Sequence, residues 1–218
     1  MKLINLGETN SVLGTFLAEM RDIHIQKDSL RFRTNMERMG EIFAYEISKR
    51  LDYSVKEVVT PLGIANASTP DTPLVVATIL RAGLPLHRGI LNFFDHAETA
   101  FMTTYRRHGK GDYFEIRADY CTTPSLEGKT LIVADPMLAS GASMKVSLKK
   151  LQEEGGSAAH VHLVCPVASR FGVDQLAQEY SDDVTLWVAA IDEELTSHSY
   201  VVPGIGDAGD LAFGGKKS

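Results

Sequence analysis

The stretch Leu131-Ile132-Val133-Ala134-Asp135-Pro136-Met137-Leu138-Ala139-Ser140-Gly141-Ala142-Ser143 constrains this chain more than any other. An apolar run ends in an acid, a short turn rich in small residues follows, and residues 144–151 read as a helix. The pattern is a strand, a tight loop and a helix N-terminus. Such a terminus presents unpaired N–H groups and the positive end of a dipole, which suits a phosphate. Ser140 and Ser143 add hydroxyl donors, and Gly141 lets the backbone come close. An ordinary strand-to-helix connection capped by a serine fits the same string. It is not a Walker loop, for it has no Gly-Lys-Ser/Thr, and it lacks the three glycines of a dinucleotide fingerprint.

The surrounding pattern predicts an α/β fold, a parallel sheet flanked by helices. Residues 74–80 form a continuous apolar run, the mark of a strand covered on both faces. Further strands are expected at 100–105, 130–134, 161–165 and 184–190, and helices at 85–94 and 171–180. Before them, 11–20 and 29–51 have helical spacing, with Met36, Met39, Phe43 and Ile47 at three- and four-residue steps. Sites in such sheets lie beyond the carboxyl ends of the strands. Three polar or glycine-bearing loops leave those ends, at 81–83, 106–124 and 135–143. The segment 106–128 reads as a long charged loop, of which 113–116 could pair as a hairpin arm.

A chain of 218 residues fits one domain, 1–218. The net charge of −6 and the lack of a long basic run argue against nucleic acid as a partner. No apolar run reaches the ~20 residues that span a bilayer, and the first residues lack a secretory segment, so a cytoplasmic protein is expected. Cys121 and Cys165 do not make a disulfide framework. Cys165 reads as buried packing and Trp187 as core or interface. His160 and His162 share one face of a strand, a possible metal pair with no evident third ligand. Arg21-Asp22 and Asp192-Glu193-Glu194 read as solvated turns.

The chain closes with Tyr200-Val201-Val202-Pro203-Gly204-Ile205-Gly206-Asp207-Ala208-Gly209-Asp210. Its glycines and proline argue against a helix or a long strand, and suggest backbone approaching a ligand. This tail, the 135–143 loop, Ile79-Leu80-Arg81-Ala82-Gly83-Leu84, and Arg21-Asp22 with Phe43-Ala44-Tyr45-Glu46 together resemble the motifs of uracil phosphoribosyltransferases, in collinear order. The resemblance implies transfer of a phosphoribosyl group from 5-phosphoribosyl 1-diphosphate (PRPP) to uracil, giving uridine 5′-monophosphate (UMP) and diphosphate, with Mg²⁺ on the diphosphate. It implies a flexible arm at 106–128 and a base-binding hood at 192–215. By motif position, Asp135, Arg106 and Asp207 are the catalytic residues. PRPP would be held by Arg81, Arg106, Asp135, Pro136, Met137, Leu138, Ala139, Ser140, Gly141, Ala142, Ser143 and Asp207. Uracil would be read by Val201, Gly206, Asp207 and Ala208, mainly through backbone groups. No dedicated protein metal site is implied; GTP as an effector and a homodimer or larger assembly are.

Four departures stand out. Ala142 occupies a usual glycine position and Ser140 a frequent threonine; if position 142 needed positive φ, alanine would cost roughly 1–2 kcal/mol. Residues 84–88 and 106–109 differ from the family pattern, and 165–172 reads Cys-Pro-Val-Ala-Ser-Arg-Phe-Gly, with a base where an acid is usual. These leave two rivals: a silent nucleotide-sensing regulator of the same fold, and a phosphoribosyltransferase for another base.

Overall fold

The computed structural model describes residues 1–108, 114–196 and 199–216; for 106–108 and 114–117 only the backbone is described. Strand β1 (Lys2–Asn5) leads to α1 (Val12–Arg21), whose N-cap Ser11 accepts from Leu13 N–H at 3.3 Å. Asp28 caps α2 (Ser29–Ser48) by accepting from the N–H groups of Leu30 and Arg31. Along α2, Phe32, Met36, Met39, Phe43 and Ile47 are buried as one stripe. Then β2 (Tyr53–Thr60) and β3 (Gly63–Pro70) form a hairpin, pairing only with each other among the described strands. Its surface is largely exposed, including Val55, Val59, Leu62 and Ile64.

Next come β4 (Leu74–Leu80), α3 (Leu84–Leu91), β5 (Glu98–His108), β6 (Phe114–Thr122), β7 (Thr130–Ala134), β8 (Met137–Leu138) and α4 (Ala142–Gly155). They are followed by β9 (His160–Val164), β10 (Val167–Ser169), α5 (Arg170–Glu179), β11 (Val184–Val188), β12 (Ala190–Asp192), β13 (Glu194–Leu195), β14 (Val201–Val202) and α6 (Ala208–Phe213). The main sheet runs β1-β11-β9-β7-β4-β5-β6 and is parallel except for β6. Every residue of β7 and β11 is buried, as a strand between two helical layers requires. On one face Ile132 and Trp187 join the core under α1, α2 and α3; on the other Leu131, Val133 and Leu163 pack with α4 and α5.

Several expectations need correction. Phe114–Thr122 is a full strand antiparallel to β5, longer than the 113–116 hairpin arm expected within a long loop; its apolar and charged residues alternate from Phe114 to Tyr120, a strand signal that the charge and glycine content of 106–128 outweighs in the sequence. The expected strand at 184–190 divides into β11 and β12, which belong to different sheets. A helix, α6, begins inside the glycine-rich tail, with Asp207 as its N-cap. The positive φ of the 135–143 turn falls on Gly141, at +81°, while Ala142 is the first helical residue. Alanine at 142 therefore carries no left-handed cost.

Candidate active site

Beyond the carboxyl ends of the strands lies a cavity of about 510 Å³. Asp135, Pro136, Met137, Leu138, Ala139, Ser140, Gly141 and Ser143 line one side, and Asp207, Ala208 and Gly209 another. The loop is held by sheet pairing: β8, inside it, pairs with β10, and β10 with β12. Ser169 caps α5 and also donates from its hydroxyl to Ala139 O at 2.6 Å. A Cβ on Gly172 would lie 2.3 Å from that same carbonyl, so the 165–172 turn and the loop are in backbone contact. Arg170 points elsewhere, to Glu193 at 3.5 Å, and is not in the cavity lining. The departure at 170 therefore leaves the cavity's charge alone.

Gly83 fixes a second approach. A Cβ there would sit 2.4 Å from Thr78 Oγ1 and 2.6 Å from Ala134 O, immediately before Asp135. The Arg81-Ala82-Gly83 turn thus lies against the end of β7, and Ala82 reaches the cavity. Arg81 follows a cis Leu80–Arg81 peptide. Its Nη2 donates to Asp210 Oδ1 at 3.0 Å, and the guanidinium also donates to Gly214 O at 3.3 Å.

Asp135 is half-buried, and burial pushes its carboxyl up to about 7, partly offset by the N–H of Met137. Cys165 is fully buried and its thiol is raised well above its ordinary range, first by burial, so it packs as a neutral group.

The tail is clamped by residues that read locally as solvated turns. Arg21 donates from Nη1 and Nη2 to the two carboxylate oxygens of Asp192, at 2.9 and 2.8 Å, and from Nη1 to Gly204 O at 3.0 Å. Asp192 Oδ2 in turn accepts from Gly204 N–H at 2.9 Å. Asp192 is only 7% exposed. Both the N–H and the C=O of Gly204 are thereby tied to one ion pair, next to a cis Val202–Pro203 bond. Arg33 anchors α6 by donating to Ala212 O at 2.6 Å.

Not every expected residue reaches the cavity lining. Val201 is buried in β14, paired with Leu195, and Gly206 lies near Gln26 and Leu211. Ala142 starts α4 without lining the cavity. Arg106 lies in β5 opposite Ile116, and its side chain is outside the described residues. Conversely, Thr104, Tyr105, Ser199, Tyr200 and Lys216 line the cavity without having been singled out. Ser199 and Tyr200 lie within the expected 192–215 hood, while Thr104 and Tyr105 are placed by the packing of β5, which no local motif encodes. Asp210, the partner of Arg81, lay inside the quoted tail, and its acidic character was the available signal.

The chain resembles known proteins along nearly its whole length. Residues 8–215 match the family model described as uracil phosphoribosyltransferase. A protein named uracil phosphoribosyltransferase from Porphyromonas gingivalis is 49% identical over 216 residues, covering 99% of this chain and all of that one. One of the same name from Thermococcus kodakarensis is 34% identical, covering 95% and 89%. Among solved structures, the AQ2163 protein from Aquifex aeolicus superposes with a TM-score of 0.86 at 26% identity, over 97% of this chain and 98% of that one. A hypoxanthine phosphoribosyltransferase from Staphylococcus aureus shares the fold at a TM-score of 0.51 and 14% identity, over 78% and 83%. Matched over nearly its whole length, this chain belongs to the uracil phosphoribosyltransferase family.

Proposed function

We infer that the protein transfers the 5-phosphoribosyl group of PRPP to uracil, releasing UMP and diphosphate. The single observation that carries this reading is the facing of the 135–143 loop and the 207–209 tail across one cavity, in a chain of this family. The N–H groups and hydroxyls of residues 139–143 suit the dianionic 5′-phosphate. Asp135, at the start of the loop, suits the neighbouring ribose hydroxyls, since a carboxylate accepts from both. We assign Arg81 and Arg106 to the diphosphate, where planar guanidinium forks counter the charge that grows as the glycosidic bond breaks. Catalysis is then positioning and electrostatics around an oxocarbenium-like centre, without a covalent intermediate.

Backbone groups at Val201, Gly206 and Ala208 are assigned to the edge of uracil, with Asp207 as an acid beside PRPP. Val201 would act through the turn it supports, because its side chain is buried away from the cavity. Mg²⁺ enters on the substrate: two carboxylates, Asp135 and Asp207, line the cavity, and no group of three metal-type side chains occurs among the described residues. That donor set suits a hydrated ion held mainly by diphosphate, whose charge it neutralises. No helix among the described residues is long and apolar enough to cross a membrane, and we place the enzyme in the cytoplasm with its phosphorylated substrate, PRPP.

We also propose a homodimer or larger assembly. The β2–β3 hairpin supports it, with Val59 84% and Leu62 100% exposed on an arm that no other described element covers. The test of function is labelled uracil with PRPP and Mg²⁺, with cytosine, hypoxanthine and adenine in parallel and GTP titrated into each. UMP formation from uracil alone is expected. Silence with every base, or preference for another, overturns the reading.

A further inference from the structure

A second cavity, of about 470 Å³, lies at the opposite end of the main sheet from Asp135. The starts of β1, β7, β9 and β11 form its roof, and the loop after α2 brings Arg50 and Asp52 to its side. Its size falls within the roughly 300–1,000 Å³ of small-molecule sites.

His162 decides the chemistry of this cavity. The residue is 2% exposed and lines the cavity. Trp187 Nε1 donates to its Nδ1 at 3.1 Å. An indole N–H is a donor only, so Nδ1 is the acceptor and the ring proton sits on Nε2. Burial, first, and then the neighbouring His160 and Arg50 hold this imidazole down at about 3, so it is neutral at physiological pH. Its Nε2–H has no protein acceptor among the described residues.

The same geometry removes the metal reading of the His160–His162 pair. Coordination needs a lone pair, and that of His162 is already taken by Trp187. The ring of His160, 4.6 Å away centroid to centroid, has its Nε2 at 3.0 Å from Thr185 Oγ1. What remains is a buried donor beside two cations. Lys2 and Arg50 line the cavity, and neither is ion-paired among the described residues. Asp52 is the acid of the lining and offsets one of them. A net surplus of a single charge makes direct hydrogen bonds, rather than the bulk field, the source of affinity.

We propose that this basal cavity binds a phosphate group, free or carried by a nucleotide, with His162 Nε2–H, Arg50 and Lys2 as its donors. The site is separate from the uracil chemistry and does not depend on it. The test is imidazole-selective ¹H–¹⁵N NMR of the full chain, following the His162 Nε2–H signal at fixed ionic strength. Inorganic phosphate, diphosphate and UMP are titrated separately, and the tightest of the three names the source. A saturable shift is expected. Arg50→Met and Lys2→Met each raise its midpoint at least about tenfold, as loss of a charge-assisted hydrogen bond does, with KM for uracil and PRPP unchanged. His162→Phe abolishes the site; should it fail to fold, Arg50→Met on the exposed rim still decides. No saturable response to any of the three anions, or midpoints untouched by the Arg50 and Lys2 changes, overturns the proposal.

Discussion

Replacing Asp135 by Asn should cost the enzyme most of its activity and make it more stable at neutral pH. The carboxyl is an acid whose folded-state value, about 7, stands above its ordinary 3.8. The folded protein therefore holds this proton more tightly than the unfolded chain does. The resulting stability is fully present below about pH 3.8, declines between about 4 and 7, and is gone above that window. At about 1.4 kcal/mol per pH unit, the full gap from 3.8 to about 7 corresponds to about 4 kcal/mol. Asp135 retains some contact with solvent at the cavity, so about 2–4 kcal/mol is the working range. For a chain of this size that is a rise of about 5–15 °C in Tm.

The assay is urea unfolding of both proteins, without ligand, at half-unit steps from pH 4.5 to 8.5. The other carboxylates are common to both and cancel in the difference. The advantage of Asp135→Asn should grow through this window and level off near pH 8. Activity should fall to a small fraction, because an amide cannot accept from two ribose hydroxyls as a carboxylate does. Parallel stability profiles would refute the assigned environment of the carboxyl, and normal turnover would refute the sugar contact.

Arg21→Lys keeps the charge but loses the two-pronged contact with Asp192. It should raise KM for uracil roughly five- to tenfold, equivalent to about 1–1.4 kcal/mol, while KM for PRPP barely moves; steady-state kinetics in both substrates checks the split. On the assignment of Arg106 to the departing diphosphate, Arg106→Ala should lower kcat by at least about tenfold with Tm within about 2 °C. A large fall in Tm would count against that assignment. Asp210→Asn should change stability by less than about 1 kcal/mol, the pair with Arg81 being partly exposed. It should also lower KM for PRPP, and a raised KM would mean that Asp210 orients Arg81 for its task.

The parts of the fold that the chain announces locally are those that bury apolar side chains in a regular period. Residues 74–80 and 130–134 are continuous apolar runs and become the central strands β4 and β7. The α2 stripe was legible for the same reason. The β2–β3 hairpin was not, because its side chains point mostly to solvent and no buried face imposes alternation on them. The candidate site divides in the same way. Its 135–143 loop is a contiguous string, and small residues before a helix have a direct physical meaning. The Arg21–Asp192 pair joins residues 171 positions apart, each of which looks like an ordinary charged turn among its own neighbours. Nothing short of the folded topology brings them together. Gly141 and Ala142 show a finer limit: the string reveals that a turn exists, while the backbone decides which of two adjacent residues takes the left-handed conformation.

On the assignment of Arg81 to the diphosphate, its tethering to Asp210 has a consequence for which molecules gain entry. A visiting anion must outcompete a carboxylate already in possession of the guanidinium. A singly charged phosphate ester offers little more than Asp210 does, whereas a diphosphate brings several oxygens and a denser negative field. The pair thus sets a charge threshold: weakly anionic sugars meet an arginine that is occupied, and only a strongly anionic leaving group draws it across.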